Sequence, residues 1–248
     1  MSTFADHFSR QAKQYAHYRP HYPPELSAYL SSLCKEHQLA WDCATGNGQA
    51  ATELAKIFAQ VVATDASDAQ IANAEKRSNI EYRVESAEQT SLLTHSVDLI
   101  TVAQAYHWFD IPVFAEEVQR VLKPNGIIAA WCYGLFKIDT SLDQLIEYFY
   151  HDIVGPYWPA GRQYIDEHYT TVAFPFKRIP TPQFYMQAEW SAEQVLGYLN
   201  TWSAVNYYKK AQHRDPVAEF APALLELWGN PQTTKKISWE IFLLAGNI

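Results

Sequence analysis

The chain has 248 residues, 48% of them hydrophobic and 19% charged, which suits one α/β domain with a sizeable core and excludes wholesale disorder. Its formal net charge is −8, and its nearest basic clusters are the isolated pairs Lys209-Lys210 and Lys235-Lys236, so the phosphate neutralisation that dominates nucleic-acid affinity is not provided for. Three cysteines, Cys34, Cys43 and Cys132, with no Cys-x-x-Cys spacing argue against a disulfide scaffold and a zinc site, and no metal is expected.

The opening residues alternate polar and charged types and lack the apolar stretch of a signal peptide. An aromatic, basic segment, Tyr15-Ala-His-Tyr18-Arg19-Pro-His-Tyr-Pro-Pro, then leads into a predicted helix at about residues 25–34. From 39 to 135 short β-branched runs alternate with helix-like segments, the pattern of βαβ units and a parallel sheet. Strands are predicted at 40–44, 61–65, 80–85, 97–103 and 126–131, and helices at 49–59, 69–76 and 111–122. Asp110 is the predicted N-cap of the last of these, and Lys123-Pro124-Asn125-Gly126 its stop and turn. Beyond this core a helix is predicted at 142–153, irregular chain at 155–182, a strand at 183–190, and helices at 192–202, 205–212 and 217–228. Residues 234–246 hold an apolar closing strand. The stretch 155–230 is the natural place for a substrate cap. The longest apolar runs are strand-sized, which predicts a cytoplasmic protein with no membrane span.

Chemistry concentrates at the predicted strand ends. The first turn reads Asp42-Cys43-Ala44-Thr45-Gly46-Asn47-Gly48-Gln49; its glycines let the backbone turn tightly and aim the amides of the next helix at a ligand. Asp65 closes the second strand, about 20 residues on, where a carboxylate accepts ribose hydroxyls. Ser86-Ala87-Glu88 follows the third strand, Asp98 opens the fourth, and Gln104-Ala-Tyr-His107-Trp108-Phe-Asp110 follows it.

As a set, these motifs resemble the class I S-adenosylmethionine-dependent methyltransferases. Gln104 to Asp110, Arg120-Val-Leu-Lys-Pro-Asn-Gly and the leading Tyr15-x-x-Tyr-Arg-Pro-x-Tyr-Pro resemble a subgroup that includes trans-aconitate-type carboxyl methyltransferases. The resemblance covers roughly residues 4–133. It implies a Rossmann-like α/β fold with a mostly parallel sheet, an antiparallel last strand and a helical, aromatic cap inserted near the C-terminus. It also implies S-adenosyl-L-methionine as cofactor. Asp42, Ala44, Thr45, Gly46 and Gly48 would hold its methionine end, with Tyr15, Tyr18 and Arg19 of the 1–38 segment folding over it. Asp65 would take the ribose, Ala66 and Gln70 would lie beside the adenosine, Ser86, Ala87 and Glu88 would border the adenine, and Gln104 would lie under the cofactor. One departure from the pattern is Ala44, where a glycine is usual. A nicotinamide site uses the same glycines and acid, but Ser-Ala-Glu, the His-Trp-Phe-Asp run and the closing strand count against it.

On the substrate side, His107 and Trp108 stand where the expected methyl group lies, with Trp108 facing the sulfonium and His107 donating a hydrogen bond or accepting a proton. The competing reading has both capping the helix from Asp110. Trp131 and Tyr133 end the fifth strand on the same edge, as lining or as packing. Arg162 offers a fork for a substrate carboxylate. Tyr157, Trp158 and Trp202, with Tyr207 and Tyr208, form either an aromatic pocket or the core of the cap. The expected reaction is in-line methyl transfer to a small-molecule acceptor, an organic carboxylate first. A quinone-like apolar acceptor and a cofactor-binding module without catalysis are the alternatives.

Overall fold

In the computed structural model, which describes residues 20–248, helix α1 (Pro24–Leu33) precedes an alternating series. The series runs β1 (Leu39–Cys43), α2 (Gln49–Leu54), β2 (Gln60–Asp65), α3 (Asp68–Ala72), β3 (Ile80–Val84), β4 (Val97–Ala103), α4 (Ile111–Val121) and β5 (Leu122–Tyr133). Strands β1 and β4 are buried along almost their whole length, which is why they are mostly apolar on both faces rather than alternating, with Asp42, Asp98 and Thr101 as buried polar exceptions. Strands β1 to β5 pair in parallel. Ser67, Asp110, Asp139, Ser191 and Asp215 each cap the helix that follows with a side-chain oxygen.

After β5 come α5 (Thr140–Tyr148), a π-turn over Phe149–Ile153, a 3-10 turn over Gly155–Tyr157 and the short α6 (Arg162–Asp166). Strands β6 (Lys177–Ile179) and β7 (Phe184–Trp190) follow, then α7 (Ala192–Asn200), α8 (Ser203–Gln212), α9 (Pro216–Trp228) and β8 (Lys235–Asn247). The sheet order is β3-β2-β1-β4-β5-β8-β6, with β7 also on β8. Strand β8 runs antiparallel to β5, as expected for the closing strand. Strands β6 and β7 lie end to end along its outer side. Pro180 and Pro182 separate them, and proline has no N–H to give the ladder. Within 155–230, then, the sheet edge formed by β6 and β7 lies between the short α6 and the helices α7 to α9.

Several elements differ from their predicted bounds. Helices predicted at 49–59 and 69–76 end at Leu54 and Ala72. The helix predicted at 142–153 gives way to the π-turn after Tyr148. Lys123–Gly126 is not a turn outside the sheet: the pairing steps from Val97↔Leu122 to Leu99↔Ile127, so these residues bulge from β5, with Asn125 at φ +67°.

The alternation along β5 sorts the core into two layers. Ala129, Trp131 and Tyr133 pack with α1, α2 and the cap helices; Ile128, Ala130 and Cys132 pack with α4 and the segment through Ile165 and Tyr169. Within the cap, Trp202 is 5% exposed. Its ring lies 5.5–6.4 Å from those of Phe136, Phe149, Tyr150, Trp158 and Tyr198. Among the described residues no helix is long and apolar enough to cross a membrane.

Candidate cofactor and acceptor site

The loop after β1 carries three left-handed residues, Ala44 at φ +53°, Gly46 at +58° and Gly48 at +88°. Asp42 holds this loop in shape. Its carboxylate is fully buried and accepts from Thr45 Oγ1 at 2.5 Å, Ala51 N at 3.1 Å and Thr101 Oγ1 at 2.7 Å. Burial pushes its pKa up to about 6 against the pull of these donors. Both oxygens are thus engaged by the protein, and Asp42 holds the turn in shape. Behind the loop, Gly48 backs onto the Tyr82 ring, whereas a side chain on Gly46 would meet nothing within 4 Å among the described residues.

Asp65 joins two loops: its carboxylate accepts the Gly46 amide at 2.8 Å and the Ser67 amide at 2.9 Å. Burial raises its pKa. Ala66 beside it is exposed, and the Gln70 amide donates to the Ser67 cap. After β3, Ser86 bridges to Gln89, Ala87 packs on the β4–α4 layer, and Glu88 accepts the Asp110 amide at 3.3 Å. Gln104, at φ +60°, donates from Nε2 to the Tyr133 carbonyl at 3.1 Å. Its Oε1 is buried and has no hydrogen-bond partner among the described residues, an arrangement that costs about 1–3 kcal/mol unless a donor arrives. Among the described residues, an acidic group on one loop, open space over Gly46 and an unpaired acceptor below together fit a ligand carrying ribose hydroxyls and an ammonium group. Tyr15, Tyr18 and Arg19 lie outside the described residues.

Trp131 is buried on the α1 side, edge-on to Tyr22 at 5.3 Å, and Tyr133 lies 6.4 Å from the same ring. Trp131 lines a small cavity with Tyr22, Leu26 and Ala50. His107 and Trp108 instead face the cap on a 3-10 turn (Tyr106–Trp108), and a side chain on Gly161 would press against both rings. Trp108 is 40% exposed. His107 Nδ1 lies 2.9 Å from Tyr169 Oη. Burial, helped by the nearby Arg162 charge, pushes its imidazole pKa down to about 4, so it is neutral at physiological pH.

Arg162 follows Gly161 directly. Its guanidinium lies 4.5 Å above the Trp158 ring and 5.2 Å above that of Tyr150. Nε donates to Tyr150 Oη at 2.5 Å and lies 3.3 Å from Asp166 Oδ1. Tyr150 Oη in turn donates to Asp166 at 2.5 Å. Among the described residues no hydrogen bond engages the terminal Nη nitrogens of Arg162. Tyr157 stacks edge-on with Tyr208 at 5.0 Å and accepts from Gln212. Tyr150, Asp166 and Tyr169 carry no sequence signal for a place in this group; their links to Arg162 and His107 span 4 to 62 residues.

The methyltransferase domain family matches residues 41–130. A Dictyostelium discoideum protein described as a methyltransferase is 38% identical over 94% of this chain and 90% of its own length. The solved structure of a protein described as a type II methyltransferase, from Anaeromyxobacter dehalogenans, superposes with a TM-score of 0.87. It shares 38% identity over 92% of this chain and 97% of that one. The fold recurs at 17% identity and a TM-score of 0.52 in Haemonchus contortus phosphoethanolamine N-methyltransferase 2, solved with S-adenosyl-L-methionine; the match spans all of this chain and 61% of that one. With the strand order and the loops at the carboxyl edge of the sheet, these matches decide against the nicotinamide reading, and the chain belongs to the class I S-adenosylmethionine-dependent methyltransferases.

Proposed function

We infer that the acceptor is a small organic carboxylate, as in the trans-aconitate-type enzymes that the sequence resembles. The observation that carries this reading is Arg162: a largely buried guanidinium, 18% exposed, set in an aromatic cage with its terminal nitrogens unengaged among the described residues, next to His107 at the end of β4. A guanidinium presents its donors in a fork that matches a carboxylate. Asp65, the Gly46 loop and Gln104 would hold the cofactor, and Ala66, Gln70, Ser86, Ala87 and Glu88 would border its adenosine. The cofactor supplies a sulfonium methyl group, which passes to a carboxylate oxygen as the C–S bond breaks and its electron pair stays on sulfur. A carboxylate is already ionised at neutral pH and needs no general base. The work left to the protein is alignment and exclusion of water, and alignment supplies on the order of 7–11 kcal/mol of a barrier. Trp108, Tyr157 and Trp158 give the apolar surroundings, while Trp202 stiffens them from behind.

A panel of di- and tricarboxylic acids, phenols and quinols, incubated with the protein and S-adenosylmethionine, tests this. Turnover is expected on acids. Arg162→Met should raise KM for the acid by about 10- to 100-fold, the loss of one charge-assisted contact, while S-adenosylhomocysteine affinity is unchanged. Turnover on phenols or quinols alone, or an unaltered KM in the variant, would sink the carboxylate reading.

A further inference from the structure

We propose that Tyr169 locks His107 as an Nε2–H hydrogen-bond donor aimed at the acceptor, so that His107 orients the substrate and takes no proton from it. Tyr169 lies 62 residues from His107 in sequence, and its side chain is fully buried. Its phenol has one proton to give. The backbone N–H groups of Tyr106 and His107 lie near the same oxygen and act on it only as donors. Among the described residues the acceptor within reach is His107 Nδ1, at 2.9 Å. Were Nδ1 to carry the proton instead, the phenol proton would be buried with nothing to accept it, the costlier arrangement. Nδ1 therefore accepts, and in a neutral imidazole the remaining proton sits on Nε2.

The backbone around Tyr169 points the same way. His168 and Tyr169 are consecutive non-glycine residues at φ +57° each, a conformation that persists only where its surroundings over-determine it. Here the His168 ring stacks on Phe242 at 3.7 Å and 9°, and the Tyr169 amide donates to the Tyr164 carbonyl at 2.8 Å. The charged and titratable groups around the pair are Arg162, Tyr106 and Cys132. The Arg162 cation opposes protonation of the ring, and burial pushes both phenols upward, so Tyr169 keeps its proton. The His107 ring carbon Cδ2, which is bonded to Nε2, lies beside Gly161, the residue before Arg162. His107 and Arg162 thus present two donors and no base, which selects an acceptor oxygen that is already anionic. This last step rests on the carboxylate reading above; the tautomer does not.

Long-range proton–nitrogen NMR of the full chain labelled with 15N-histidine tests the lock, with the His107 signals assigned by their loss in His107→Gln. A protonated Nε2 and bare Nδ1 are expected at pH 7, with no conversion to imidazolium down to pH 5. Tyr169→Phe should shift the ring toward a mixture of tautomers. It should also raise KM for the acceptor several-fold while changing kcat less. A protonated Nδ1 or an imidazolium at pH 7 in the unaltered protein overturns the proposal. So does a tautomer that Tyr169→Phe leaves unmoved. The NMR arm uses no acceptor, so an acid panel without turnover would reject the carboxylate reading and leave the tautomer decided on its own.

Discussion

Asp65 and Ala44 are neighbours across one loop, and each makes a distinct demand on it. Asp65 spends both oxygens on the Gly46 and Ser67 amides, contacts that a ribose would share or replace. Removing the carboxylate takes away charge-assisted hydrogen bonds worth about 1.5–3 kcal/mol. Asp65→Ala is therefore expected to weaken S-adenosylhomocysteine binding by at least about tenfold in a calorimetric titration. A thermal melt of the variant without ligand checks that the loop has survived. Ala44 stands at φ +53°, where an L-residue is strained by about 1–2 kcal/mol. Part of that strain is offset because alanine loses less chain entropy than glycine on folding. Ala44→Gly is expected to raise the melting midpoint by about 2–4 °C, a net gain of about 1 kcal/mol for a chain of this size. A lower midpoint would mean that the Ala44 methyl packs more usefully than the strain costs. Gly48 tolerates no such exchange: a side chain there would run into the Tyr82 hydroxyl, which is tied to the Glu75 carbonyl at 2.8 Å.

Helix starts are set by single residues and are correspondingly testable. Helix α9 begins at Pro216, and Asp215 accepts the amides of both Val217 and Ala218 while pairing with Lys209 Nζ at 2.7 Å. Although burial alone would raise its pKa, these donors lower it below the ordinary value of 3.8. A depressed folded-state pKa means that the cap is at full strength above pH 3.8 and is lost as the pH falls through the folded value. Asp215→Ala should cost about 1 kcal/mol at neutral pH. The gap between the urea midpoints of the two proteins should narrow as the pH is taken from about 6 to about 3. A gap independent of pH would assign the cost to lost packing rather than to the charged cap. The other strong start, the Ser191–Gln194 capping box of α7, sits between the edge strand β7 and the helices α7 to α9 and fixes where one becomes the other.

Sheet and cap share one core, so the molecule should respond to ligand as a unit. Phe136, Trp190, Tyr198 and Trp239 tie β7, α7 and β8 into the layer that also covers β5 and α2. A ligand at ~100 times its dissociation constant stabilises by about 2.7 kcal/mol. S-adenosylhomocysteine at that level should move the single melting transition up by several degrees, and NADPH should leave it unmoved. Two separate transitions, only one of them shifted, would show that the cap melts independently and that the shared aromatic layer is weaker than its burial suggests.

The sequence by itself determined the order of strands and helices in the first half, the helix cap at Asp110, and the carboxyl-edge motifs from Asp42 to Gln104. Those signals are local: periodicity, turn chemistry and capping act within a few residues, and βαβ units place strand ends side by side. Tertiary structure alone decided the rest. That Asp42 turns inward, that Trp131 packs beneath Tyr22, and that Trp202 is the hub of the cap depend on which faces meet across long separations. Strand β6, in a stretch read as irregular, is a strand only because β8 offers it an edge. Tyr169 reaches His107 through two left-handed residues that neither histidine nor tyrosine favours, so no residue type announced it. Such a conformation is stable only because the burial of Tyr169 and the stacking of His168 on Phe242 outweigh its local cost, and that balance exists only once the chain is packed.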